Sequence, residues 1–273
     1  MAFNTAYDLE SLVVNTKAST VYTAHENSLF LGGDIVPMVQ LPAGSIAAQI
    51  PVMGSVTAQS LTSADPDAVD DFTALTVTDT KVTIESNIYA ARHVMRDLGG
   101  IDPNETGRVL GNAIQAKFDA DVVAAMNGFT ASTSDSDPMT VDALFDAAAQ
   151  IRATGETGQL VGIVSPAEAA NLMKVIGTAA YGGGDFQTEA LRNGFLGQIA
   201  GIRMFQSSYI SGANKGFVFG QDAIRIAMFK NVDLEIARRA EAVGNDIVAS
   251  LHAGVGVVDA TRGIKLVNVD AGV

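Results

Sequence analysis

The chain has 273 residues and a mass of 28.3 kDa, enough for one or two domains with a full core at ~100–200 residues per domain. Its net charge is −13 with only 17% charged residues, which excludes a protein that grips nucleic acid by neutralising phosphates and implies that neighbours cover much of the surface. It has no Cys, so a disulfide framework, a thiolate metal site and a cysteine nucleophile are excluded as well.

The N-terminal MAFNTAYDLESL lacks the basic and then apolar pattern of a secretion signal, so a cytoplasmic chain is expected. Residues 35–64 carry no charge, yet Pro37, Pro42, Pro51 and many Gln, Ser and Thr make them an extended polar segment, not a membrane helix. No Lys or Arg occurs from Ala18 to Thr80. Within that window, residues 45–53 and 73–85 are rich in β-branched residues and read as the two strands of a long hairpin over about residues 46–86. The hairpin has little core of its own, and its tip AQSLTSADPDAVDDF is full of turn residues.

Residues 102–128 give the strongest helix: Asp102, Pro103 and Glu105 form its start, Asn127-Gly128 its stop, and Leu110, Ile114, Phe118, Val122 and Met126 recur every four residues. From Thr140 to Lys230 helix and strand signals alternate, as in a separate α/β unit. Thr140 opens a helix through Leu144, Phe145, Ala148 and Ile151 that stops at Gly155. LVGIV at 160–164 is a buried strand, and Ser165-Pro166-Ala167-Glu168 is a capping box for a helix closed by Gly177. A glycine loop at 182–184 leads to strands at 202–206, 217–219 and 224–229. Segments 233–239, 246–252 and 264–269 read as strands returning toward the long helix.

Catalytic chemistry finds no footing. His25, His93 and His252 have no partner at metal-ligand spacing, Gly254-Val255-Gly256 lacks the third glycine of a dinucleotide loop, and Gly182-Gly183-Gly184 lacks the Lys of a phosphate loop. No catalytic residue, metal ligand or cofactor is assigned. Asp65, Asp67, Asp70 and Asp71 form the one metal-like cluster, but without the glycine and distal Glu of an EF-hand. They read either as a weak divalent-ion site or as an acidic tip, solvated or paired with basic residues of a neighbouring copy. Arg238-Arg239 reads as a salt-bridged surface pair or as a contact between subunits.

An N-terminal arm, a hairpin with an acidic tip, one long spine helix, an inserted α/β unit and returning strands follow the order of parts in tailed-phage major capsid proteins. The chain resembles the Hong Kong 97 fold, and within it the coat proteins of short-tailed phages. GSIAAQIPVMGSVTAQ and TKVTIESNIYAARHVMRD look like the two strands of the extended loop, and GNAIQAKFDADVVAAM like the spine helix. LVGIVSPAEAANLM and GQIAGIRMFQSSYI look like the axial domain, and DLEIARRAEAVGNDIVASLHAGVGVVDATRGIKLV like the C-terminal peripheral strands.

The resemblance implies an α+β fold divided into an arm (1–45), an extended loop (46–86), a peripheral domain with the spine helix (87–139), an axial domain (140–230), peripheral strands (231–256) and a return strand (257–273). It further implies pentamers and hexamers in an icosahedral shell around double-stranded DNA, assembled in the host cytoplasm and found in the virion. The sequence starts at the arm, so assembly guidance is expected from a separate scaffolding protein or from a piece already removed; a portal and a cement protein are further expected partners. Some members of the fold join a hairpin lysine to an asparagine of a neighbour, but here the hairpin's Lys81 lies well behind the acidic tip, so a noncovalent shell is expected. Two other readings compete: an encapsulin-like nanocompartment shell around a cargo enzyme, and a cytosolic enzyme built on residues 140–230, which leaves the hairpin unexplained.

Overall fold

The computed structural model describes residues 6–42, 44–53, 79–96, 103–135, 139–177, 197–210 and 214–268. The asparates at 65, 67, 70 and 71 and the glycine loop at 182–184 lie outside them.

The long helix forms as its periodicity predicts: α2 spans Pro103–Met126, and Leu110, Ile114, Phe118, Val122 and Met126 are all buried. It packs on a four-stranded sheet whose order is β1 (Met38–Gln40), β10 (Ile224–Arg239), β11 (Gly244–Val257) and β4 (Asn87–Arg96). Phe118 meets the ring of Tyr89 on β4 edge to face at 5.6 Å. Burial, then the Asp121 charge, pushes the Tyr89 phenol up to about 12.

A six-stranded sheet runs in the order β5 (Ala131–Asp135), β12 (Gly263–Asn268), β9 (Asn214–Gly220), β6 (Leu160–Val164), β8 (Ile202–Gln206) and β7 (Gln198–Ile199). Every residue of β6 is buried. Val161 and Ile163 join the core shared with α2, while Leu160 and Val164 join a second core with α3 (Val141–Ala153) and α4 (Pro166–Gly177). A strand covered on both faces cannot alternate, which is why LVGIV is apolar throughout.

Local signals hold at the helix starts. The Thr140 hydroxyl accepts from the Ala143 amide at 3.3 Å, and Ser165 Oγ accepts from the Glu168 amide at 3.3 Å. The Glu168 carboxylate does not fold back on its own helix as a reciprocal box predicts; it accepts from the Met139 amide at 2.9 Å, tying the start of α3 to α4. Phe145, expected on the buried stripe of α3, is 52% exposed, because Val141, Leu144, Ala147 and Ile151 define the face that packs.

Three expectations change. The N-terminal segment, read as an arm, forms a helix, α1 (Ala6–Asn27), that lies along α2 with Thr16, Thr20, Thr23 and Ala24 buried. Residues 224–229 belong to the four-stranded sheet, since they are the first part of the single strand β10; register shifts around Lys230 mimic a break in the sequence pattern. Residues 263–268 do not return to the spine helix; they enter the six-stranded sheet between β9 and β5.

Candidate functional site

The hairpin strands pair as read: β2 (Ala47–Met53) runs antiparallel to β3 (Asp79–Glu85), with Lys81 opposite Pro51. Their root is seated on the chain's own sheet. Ala48 and Ile84 pack with Ala227, flanked by Leu41, Ile50, Val82 and Phe229. The seat exists because β11 carries glycine there: a Cβ at Gly254 would stand 2.1 Å from the Glu85 carbonyl oxygen, and one at Gly256 would stand 2.7 Å from Ile84. The two glycines that fail as a dinucleotide loop thus let the hairpin cross the sheet at van der Waals contact. Beside the crossing, Ile46 and Ile88 are 83% and 67% exposed, large apolar side chains left uncovered by this subunit.

The arginine pair lies at the other end of the same sheet. Arg238 and Arg239 close β10 just before a one-turn 3₁₀ segment, Ala240–Ala242, and Val243, whose φ of 46° and αL backbone complete the reversal into β11. Gly244 at the start of β11 pairs with Arg239 on one side and Arg96 on the other. Neighbouring strands lie ~4.8 Å apart, so Arg96 and Arg239 stand roughly 10 Å from each other across the sheet end. Arg239 reaches the exposed Glu241 only at 3.9 Å. Further back, Arg92 is held by Asp246 through two hydrogen bonds, the Nε contact at 2.8 Å, and this keeps the Asp246 carboxyl below the usual range. The sheet end therefore presents Arg96, Arg238 and Arg239 beside the exposed Val243. Pairing alone suggests Arg238-Arg239 from sequence; Arg96 joins them only through the register of β4 on β11.

A second charged group fixes the crossing between the sheets. Arg262, in the short 3₁₀ segment Ala260–Arg262 before β12, contacts Glu156 at 3.0 Å, Asp222 at 3.3 Å and Asp259 at 3.1 Å. The first anchors the loop before β6, the second the turn between β9 and β10, and the third the exit from β11. Among the described residues no three His, Cys, Asp or Glu side chains come together as metal ligands, and no helix is long and apolar enough to cross a membrane.

No protein-family profile and no characterised relative matches the sequence. Solved structures do. The capsid of the cyanophage P-SCSP1u superposes with a TM-score of 0.69 at 16% identity, over 87% of this chain and 88% of that one. The mature capsid of bacteriophage PhiM1 gives 0.65 at 15% identity, over 89% and 88%. The chain has the Hong Kong 97 capsid fold. A virus-like particle from Pyrococcus furiosus shares that fold, with a TM-score of 0.68 at 11% identity over 93% of this chain and 98% of that one.

Proposed function

We propose that the chain is the major capsid protein of a tailed phage, assembling as pentamers and hexamers into the icosahedral shell that encloses double-stranded DNA. The observation that carries this reading is the match to phage capsid subunits over 87% and 89% of this chain and 88% of each of theirs. Its role is structural rather than enzymatic, and its place is the virion. The division into arm, extended loop, peripheral domain and axial domain given above belongs to the same reading, with residues 224–230 moved to the peripheral sheet and 263–268 to the axial one.

Contacts between copies follow from the charges. Asp65, Asp67, Asp70 and Asp71 of one extended loop face the sheet end of a neighbour that carries Arg96, Arg238 and Arg239. Each exposed pair is worth only ~0–1 kcal/mol, but repetition over a shell makes the sum matter. Ile46 and Ile88 supply apolar contact at the loop base. The net charge of −13 keeps the wall from binding packaged DNA tightly. A separate scaffolding protein, a portal and a cement protein complete the set of partners.

Expression with its scaffolding protein tests the reading by electron microscopy: closed shells support it, and a strictly monomeric product sinks it. The likeness to the Pyrococcus furiosus particle favours a second reading, an encapsulin-like shell around a protein cargo. Nucleic-acid content of purified particles separates the two.

A further inference from the structure

Asp119 is 1% exposed, and among the described residues no cation faces it. It sits on the spine helix beside Phe118, at the level where α1 ends. Its partners are neutral: the Ser28 hydroxyl donates to Oδ1 at 2.7 Å, the Leu29 amide to Oδ2 at 3.1 Å, and the Gln115 side-chain amide to Oδ2 at 2.8 Å. Ser28 Oγ in turn accepts from the amides of Phe30 and Leu31, both buried in the core. The carboxyl therefore holds the turn through which α1 leaves α2. A cavity of about 320 Å³ opens beside it, walled on the far side by Gln206, Ser207, Ser208 and Tyr209. Of the side chains lining the cavity, only Asp119 and the Tyr209 phenol can titrate. The nearest ion pair along α2, Lys117 with Asp121 at 2.6 Å, closes on itself.

We propose that Asp119 makes the junction of α1 and α2 a pH-sensitive latch, held when the carboxyl is protonated and loosened when it ionises. An ionised carboxylate in the closed junction is a buried charge with neutral partners, and lifting the turn returns it to water through the adjoining cavity. Burial is the larger influence on this carboxyl and raises its pKa, outweighing the donors Ser28, Gln115, Leu29 and Phe30. The closed junction thus binds the proton more tightly than the open one, and protons favour closure. The open population rises by at most roughly tenfold per pH unit between the ordinary carboxylate value of ~3.9 and the raised one, then levels off. This inference is independent of what the shell encloses and of whether the chain forms one.

Amide hydrogen exchange of the full chain tests it, read by mass spectrometry on peptides covering residues 14–31 from pH 4 to 8 and corrected for the intrinsic pH dependence of exchange. The opening constant should climb several-fold and reach a plateau in the native chain, and Asp119→Asn should flatten the curve. Ser28→Ala, which removes a donor to the ionised form and also the acceptor of the Phe30 and Leu31 amides, should raise the whole curve and the plateau more than the acid end. A flat native curve, or an Asp119→Asn curve with the native slope, overturns the proposal. If Asp119→Asn does not fold, the native and Ser28→Ala curves decide it: a native curve that is flat, or a plateau that Ser28→Ala leaves in place, overturns it equally.

Discussion

The carbonyl oxygen of Thr20 lies so close over Gly111 that a Cβ on the glycine would stand 2.7 Å from it, and Thr16 stands in the same relation to Gly107, again at 2.7 Å. The two helices run parallel with their backbones touching, so α1 docks through threonine and glycine instead of an apolar stripe. Helix propensity alone predicts that Gly107→Ala and Gly111→Ala stabilise the protein by ~1 kcal/mol each. Overpacking against a backbone oxygen costs ~1–3 kcal/mol and should reverse that sign. Denaturant titration of the double variant should show a lower midpoint than the native chain; a higher midpoint would mean that α1 does not press on α2.

The apolar face of α2 should tolerate little, since Leu110, Ile114, Phe118, Val122 and Met126 are all buried. Phe118 is fully buried against Tyr89, and Phe118→Ala should cost ~3–5 kcal/mol. A variant that stays soluble with native stability in thermal melts would show that this face carries no core.

Asp233 works with the opposite sign to Asp119. Hydrogen bonds from Lys17 and Lys230, at 2.6 Å and 3.1 Å, hold its carboxyl down at about 2. A carboxyl depressed in the folded state contributes stability that is complete above its ordinary pKa and is lost as pH falls toward the depressed one. The native chain should therefore lose more stability between about pH 4 and pH 2 than Asp233→Asn does. Equal acid slopes in the two proteins would remove the ion pair from the account of how α1 is tied to β10.

Charge pairing between copies should be visible in salt. With Asp65, Asp67, Asp70 and Asp71 all changed to Asn, particle stability should fall at low ionic strength and converge with the native value at high salt. Arg96→Gln with Arg239→Gln should copy that pattern. A melting profile of native particles that ignores ionic strength would exclude both sides of the contact.

Mature particles should also come apart without breaking covalent bonds. Lys81 lies in β3 opposite Pro51, and a noncovalent shell should give one band near 28.3 kDa on boiling in detergent. A ladder of surviving oligomers would refute a noncovalent shell.

Where one apolar periodicity met one buried face, the sequence was a sufficient guide: Leu110 to Met126 on α2 and LVGIV on β6 are buried as their patterns require. The failures have physical causes. α1 hides behind Thr16, Thr20 and Thr23, poor helix formers that no apolar pattern reveals, although G-x-x-x-G at 107–111 matched to T-x-x-x-T at 16–20 was a usable signal. β10 looked like two strands because Lys230 and Asn231 fall at its irregular middle. Asp119 belongs to no motif in the sequence, and only its place between Phe118 and Val122 on the buried stripe hints that something donates to it. Arg96 could not be joined to Arg239 without knowing that both flank Gly244.

The most direct test of the capsid reading is cryo-electron microscopy of the full chain, produced alone and together with the scaffolding protein that this reading proposes. It should show closed icosahedral shells with five-fold and six-fold capsomers, α1 and α2 side by side in every subunit, and the acidic loop tip of one copy against Arg96, Arg238 and Arg239 of the next. A product that remains monomeric, with no ring or shell under any ionic condition, would contradict it.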